Sequence, residues 1–314
     1  MYVSGKSGVR RGGGVTIIGK VWNVSGGLVF CHEILRFIDE RKHYYAMDLG
    51  LISSVYDAPG GLAWEGGRVA TARISLEEAV RRVKTYNERG IGFNIPFSNV
   101  LLTERDLEDE YCNWFLEQCQ SEQNGVIVAS DLLRNRVRKN YPAYRLITSI
   151  CFCRTDLKFY LKAQDEYDLV VLHPDLNRDL KFISQLDTSR LEVLVNEDCF
   201  YLCPNRLQHY KNISEIILSN QRVFYKERPG CLSEVMFERN RFGGELLLSQ
   251  GDIDRLEALG VRHFKLQGRQ ESWDYMHGEL GKYIEQPTIR KILKHYTQTR
   301  SPHLSTEKGT YPQK

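Results

Sequence analysis

Long apolar runs are missing from this sequence. Stretches such as Gly125 to Ala129 and Leu169 to Leu172 are far shorter than the ~20 residues that span a bilayer, and the N-terminus carries no apolar core of the signal-peptide kind. A cytoplasmic protein without a membrane span is the expectation. An excess of charge is lacking too: 43 Lys and Arg stand against 40 Asp and Glu, a formal net charge of +3. So small an imbalance speaks against binding polyanions over the whole surface, and DNA is not an expected partner. Eight cysteines in 314 residues are too few for a disulfide-dense scaffold, which leaves some available as thiolate ligands in a reducing compartment. No G-x-S-x-G, H-E-x-x-H, P-loop or dinucleotide G-x-G-x-x-G stands in a convincing context, so hydrolytic proteolysis has no visible nucleophile or zinc base.

What is present is an ordinary globular composition, 42% hydrophobic and 26% charged, enough to bury a sizeable core. Met1 to Gly14 holds five glycines and the stretch from Thr297 to Lys314 is polar, so residues 1–14 and 297–314 read as flexible ends. Between them, short β-branched runs alternate with helix-period segments, which predicts a parallel sheet with crossover helices. Strands are expected at Leu51–Tyr56, Ile91–Pro96, Gly125–Ala129, Arg145–Phe152, Leu169–His173, Leu191–Val195 and His263–Leu266. Helices are expected from the Ser75 cap to Glu88, with Glu78 completing a capping box, over Thr103–Gln120, from Ser130 or Asp131 to about Lys139, and after a Thr155 cap. Seven strands against the eight of a complete barrel leave one to find, with Val15–Ile18 as its expected place. The fold class is therefore α/β, a (β/α) TIM-like barrel, incomplete or irregular, forming a single domain over 15–296. A doubly wound open sheet is the competing architecture, because counting strands does not settle closure.

The segment that carries most chemistry is Asn196-Glu197-Asp198-Cys199-Phe200-Tyr201-Leu202-Cys203-Pro204-Asn205-Arg206-Leu207-Gln208-His209-Tyr210. It follows the apolar strand at Leu191–Val195, and barrel active sites sit at that end of a strand. Two cysteines on a strand-to-helix loop can converge on one ion or cluster, and Cys231 follows in a Pro-Gly-Cys turn. Thiolates suit iron–sulfur clusters and zinc. A fourth ligand could be His209, Cys31 or Cys153. The competing reading puts Cys199 and Cys203 on one buried face of a helix turn, as is expected for Cys112 and Cys119 in their amphipathic stretch.

The later stretch Gly251-Asp-Ile-Asp-Arg-Leu-Glu-Ala-Leu-Gly260-Val-Arg-His-Phe-Lys265-Leu-Gln-Gly268-Arg269 resembles the late barrel segment of the collagenase-like peptidases, peptidase family U-32. In that family a glycine-terminated helix leads into a strand reading roughly K-I-E-G-R; here Gln267 stands at the Glu position. The pair Cys199 and Cys203 is similar to the closing cysteine pair of the family's ubiquinone-hydroxylation branch, beside which stands a tRNA-hydroxylation branch. The resemblance implies a barrel holding a 4Fe-4S iron–sulfur cluster in preference to zinc, acting in hydroxylation-type modification of RNA or a small aromatic molecule. It also implies a related barrel as partner subunit. Cys199, Cys203, Cys231 and His209 are then the metal ligands, Asn196 and Glu197 support them, and Arg68, Lys265 and Arg269 face the substrate. A peptidase, as the family label suggests, and a scaffold protein with structural zinc are the alternatives.

Four further features have two readings each. Trp64-Glu65-Gly66-Gly67-Arg68 could set a carboxylate and a guanidinium over the barrel mouth or form a plain turn. Asn94, Ser98 and Asn99 follow a strand as hydrogen-bonding groups, and His173-Pro174-Asp175 ends another as a bonded pair or a base. The basic run Arg134 to Lys139, near Tyr141 and Tyr144, reads as a solvated helix face before it reads as an RNA contact.

Overall fold

The protein is represented by a computed structural model that describes residues 19–45, 51–67, 74–197, 199–219, 246–268, 271–287 and 289. Eight strands form one sheet: β1 Val21–Ser25, β2 Leu51–Tyr56, β3 Gly92–Phe97, β4 Gly125–Val128, β5 Arg145–Thr148, β6 Val170–Val171, β7 Leu191–Leu194 and β8 His263–Leu266. They run in the order β5-β4-β3-β2-β1-β8-β7-β6, and every pairing between named strands is parallel. A parallel bridge between Ile147 and Leu169 brings β5 to β6, so the sheet is a nearly closed barrel. At this seam the hydroxyl Oγ1 of Thr148 accepts from the amide of Val171 at 2.8 Å, a side chain standing in for a ladder carbonyl.

The helices are α1 Cys31–Tyr45, α2 Leu76–Glu88, α3 Glu110–Cys119, α4 Asp131–Asn140, α5 Leu157–Glu166, the short α6 Leu180–Ile183, α7 Arg206–Leu218, α8 Gln250–Ala258 and α9 Trp273–Leu280. Their caps explain most starts. Ser75 accepts from the Glu78 amide at 3.2 Å, but the Glu78 carboxylate turns to Arg81 and Arg82, so the expected box is half made. A complete capping box opens α8 at Ser249 and Asp252. Ser130 caps α4, and Asp156 instead of Thr155 caps α5.

Several expected boundaries move. The eighth strand is β1 at Val21–Ser25; the expected Val15–Ile18, the two terminal segments and the outer part of 15–296 lie outside the described residues. The helix expected over Thr103–Gln120 breaks at Asp109 into a 3-10 turn, Arg105–Glu108, and α3, because Asp109 takes extended backbone to cap α3 on the Cys112 amide. The strand expected to reach Phe152 stops at Thr148, where Ser149 caps a 3-10 turn, Ile150–Phe152.

Side chains alternate across each strand. Trp22, Val24, Phe93, Ile95, Val193 and Phe264 point outward into the main core beneath the helices, where the rings of Trp22 and Phe264 lie 5.5 Å apart. The opposite residues fill the barrel. Around β4 to β6 they are apolar, Ile127, Ile147, Leu169 and Val171 clustering with Tyr56. Around β7, β8 and β1 to β3 they are polar: Asn23 donates to Glu192 at 2.9 Å, Lys265 donates to the other oxygen of Glu192 at 3.2 Å, and Asn94 donates to Ser54 at 3.1 Å. No helix among the described residues is long and apolar enough to cross a membrane.

Candidate functional site at the barrel mouth

Parallel strands present their C-terminal ends together, and the loops there carry the chemistry-bearing residues. After β7, Asn196 is fully buried and clasps β8: its Oδ1 accepts from the Gln267 amide at 2.9 Å, and its Nδ2 donates to Gln267 O at 3.1 Å and to Glu279 on α9 at 2.8 Å. Glu197 accepts from the Cys199 amide at 3.0 Å and so turns the loop. Cys199 and Cys203 are both half-buried and precede α7, which excludes the shared helix face as their explanation. Cys112 and Cys119, by contrast, are buried on α3 as core residues.

The loop is held from beneath by Arg206, 3% exposed, at the first turn of α7. Its guanidinium donates to His173 Nε2 at 2.9 Å, to Asp175 Oδ1 at 3.1 Å and to the Phe200 carbonyl. His173 Nδ1 faces Asp175, accepting from its amide at 3.4 Å with the carboxylate oxygen Oδ2 3.5 Å away. Burial, followed by the Arg206 charge, holds His173 down at about 4, so it is neutral at physiological pH. His173 and Asp175 thus form a bonded pair that orients Arg206. Leu202, at φ 53° and 65% exposed, is held in left-handed backbone by its amide bond to Asp175 at 3.2 Å.

Burial, then the Glu197 carboxylate, pushes the Cys199 thiol up to about 11 against the pull of Arg206. Burial, followed by Cys151, pushes Cys153 up to about 12, with Cys199 also contributing. Cys153 therefore lies in the electrical neighbourhood of the loop, and like Leu202 it is left-handed, at φ 49°. Cys31 lies elsewhere, buried in the helix layer beside Tyr86. His209, on α7, stacks on Tyr210 with planes 15° apart. Cys231, Arg68 and Arg269 lie outside the described residues, and among the described residues no three His, Cys, Asp or Glu side chains form a metal-sized group. The donors among the described residues fit an iron–sulfur or zinc site in kind, soft thiols at a strand end, and two of them, Cys199 and Cys203, share the loop.

At the strand ends opens a cavity of about 730 Å3, counting the part open to solvent. Lys265 lies at its base and Tyr210 and Cys151 on its loop side. The Lys265 ammonium sits 4.2 Å from the centre of the Tyr56 ring, and the Tyr56 hydroxyl is fixed across the barrel on Leu266 O at 3.1 Å. Gly66 meets the backbone of Ser98, where an added Cβ would lie 2.5 Å away, so its lack of a side chain serves packing within the protein. Glu65 is buried and folds back onto the Gly60 amide at 3.0 Å, and Asn99 ties the loop to Ala63 O and Ser214 O. Ser98 lines the cavity and donates to Ile127 O at 3.3 Å. Sequence reasoning missed Arg206 as a buried hub. Its only signal was an Arg directly after Cys-Pro-Asn. The arginines of the basic run on α4 are paired: Arg134 with Asp131 and Glu166, Arg136 with Glu108 and Arg138 with Asp168.

Over 232 residues the chain is 22% identical to the uncharacterized protease MJ1657 of Methanocaldococcus jannaschii, covering 70% of this chain and 68% of that protein. A solved structure, that of the U32 peptidase Mk0906, matches 85% of this chain and 97% of its own with a TM-score of 0.55 at 14% identity. The fold is similar to that of a U32 peptidase. No family model matches the chain. The barrel's parallel strands bring the loops after β2, β3, β5 and β8 together at the mouth.

Proposed function

We propose that this U32-like barrel is a modification enzyme, or the accessory subunit of one, working on a small molecule at the mouth, with an iron–sulfur cluster on the loop of Cys199 and Cys203. The observation that carries the reading is the pair Cys199 and Cys203 on the loop after β7, at the strand-end face of the barrel where a cavity holds a fixed ammonium, Lys265. Cys231 would add a third thiolate, with Cys153 or His209 as the fourth ligand. A cluster would supply electrons or Lewis acidity there. The chain's own residues do the rest: Arg206 anchors the loop, Glu192 and Asn23 orient Lys265, and the apolar wall excludes water. A small molecule is favoured over RNA because the site is a cavity and the basic face of α4 is already paired.

Peptidase action, suggested by the relatives' names, has less behind it. A cysteine nucleophile must be a thiolate, and Cys199 at about 11 is protonated at neutral pH. Anaerobic purification followed by iron and acid-labile sulfide analysis tests the proposal. Stoichiometric iron and sulfide with broad violet absorbance, lost on replacing Cys199 and Cys203, is the expected result; zinc without sulfide would replace the enzyme with a structural-metal scaffold.

A further inference from the structure

Lys265 has the surroundings of a reacting amine as well as those of a fixed charge. It is the one lysine among the described lining residues of the mouth cavity, and only 8% of its surface is exposed. Among the described residues its ammonium has a single hydrogen-bond partner, Glu192 at 3.2 Å, and it rests 4.2 Å from the centre of the Tyr56 ring. Glu192 is buried and held by Asn23 at 2.9 Å, and Tyr56 is held by Leu266 O at 3.1 Å, so both neighbours stay in place. An ammonium has no lone pair to attack with. A carboxylate within proton-transfer reach converts it to an amine that does, and the bond to Glu192 is within that reach.

β4 stands halfway round the ring from β8, through β1, β2 and β3 one way and β7, β6 and β5 the other, so Ile127 of β4 lies across the barrel from Lys265. We infer that Lys265 is the nucleophile that captures a small aldehyde or ketone as an iminium, with the hydrocarbon part of that molecule against Ile127 and Val171. Glu192 takes a proton from the ammonium, and the freed amine bonds to the carbonyl carbon as the carbonyl electron pair moves to oxygen. Glu192 delivers its proton to that oxygen. A second proton passes the same way from nitrogen to the new hydroxyl, the carbon–oxygen bond breaks, and water leaves into the cavity. Ammonium and carbonyl become iminium and water, with no oxidant or reductant consumed. The buried pair selects this electrophile: acyl transfer would turn the amine into a neutral amide and leave Glu192 without its cation, whereas an iminium keeps the positive charge beside it. This deepens the reading of the mouth as a small-molecule site and rests on it.

The test is reductive trapping. The full chain is incubated with benzaldehyde or acetaldehyde and sodium cyanoborohydride, which reduces an iminium to a stable secondary amine. Modified lysines are located by peptide mass mapping, beside iron and sulfide analysis of the same preparation. Lys265 is expected to be trapped about tenfold or more faster than the exposed Lys162 and Lys282, and unfolding in urea should abolish the preference. The preference should be greater with benzaldehyde than with acetaldehyde, which has too little hydrocarbon to reach the β4 side. Glu192→Gln should slow trapping at Lys265 by about a hundredfold and leave Lys162 unchanged, with melting temperature as the check on folding. Trapping spread evenly over the lysines, equal preference with the two aldehydes, or a folded Glu192→Gln variant trapped at the parent rate overturns the inference. Iron-loaded protein that is not trapped at Lys265 overturns it while leaving the proposed function standing, and trapping at Lys265 in protein without iron or sulfide does the reverse.

Discussion

The two halves of the barrel interior are built on opposite principles. From β4 to β6 the inward residues are Ile127, Ile147, Leu169 and Val171, a hydrocarbon wall of the kind that fills most barrels. From β7 through β8 to β3 the same positions hold Glu192, Lys265, Asn23, Ser54 and Asn94, joined by side-chain hydrogen bonds. Buried charge is costly unless paired and bonded, so the polar half gives up packing stability to hold an ammonium in one place. The apolar half supplies the stability and closes the ring.

The comparison makes its strongest prediction at Lys265. Lys265→Met strands Glu192 in the barrel and should cost about 3 to 5 kcal/mol, read by urea unfolding, whereas adding Glu192→Gln should recover most of that loss. Equal stability of the single and double variants would mean that the polar half is not a balanced network. Next comes the apolar wall, where Ile147→Ala should cost about 3 kcal/mol by cavity formation without changing the affinity of any mouth ligand. A change in ligand affinity there would mean that the halves are not separable. Thr148→Val keeps the shape and removes the acceptor for the Val171 amide, with an expected loss of about 1 to 2 kcal/mol. The smallest effect is in pH. His173 is held at about 4, below its ordinary 6.5, so its contribution is fully present above pH 6.5 and is lost as pH falls toward 4. Melting temperature measured over that range should fall less steeply for His173→Gln than for the parent chain.

The outward pattern was legible in the sequence and the inward one was not. Leu51–Tyr56 and His263–Leu266 are strands with the bounds expected of them, since β-branched and apolar runs mark what packs under helices. β1 escaped because Val21-Trp22-Asn23-Val24-Ser25 alternates polar with apolar, which looks like a surface strand until the barrel is closed around it. Leu169–His173 shrinks to two paired residues, Val170 and Val171, because His173 leaves the sheet to meet Arg206. The Cys199 to Arg206 loop was visible as a motif, but the Arg206 hub was not, since His173, Asp175 and Phe200 come to it from two separate strand ends. Cys153 came into the loop's neighbourhood through a left-handed turn that no spacing announces.

The fastening between β5 and β6 has a kinetic consequence. Seven junctions of the ring are runs of paired residues, while this one rests on the single Ile147 to Leu169 bridge, with backbone bonds from the Asp168 and Leu169 amides to Leu146 O and from the Thr148 amide to Leu169 O, and on two side chains, the Thr148 hydroxyl and the Asp168 carboxylate. A ring with one weak clasp opens there first, by local fluctuation far short of global unfolding. Deuterium from solvent should therefore reach the amides of Leu169 and Val171 sooner than those of β1 or β8, and the barrel has a built-in place to flex its mouth while its other junctions stay closed.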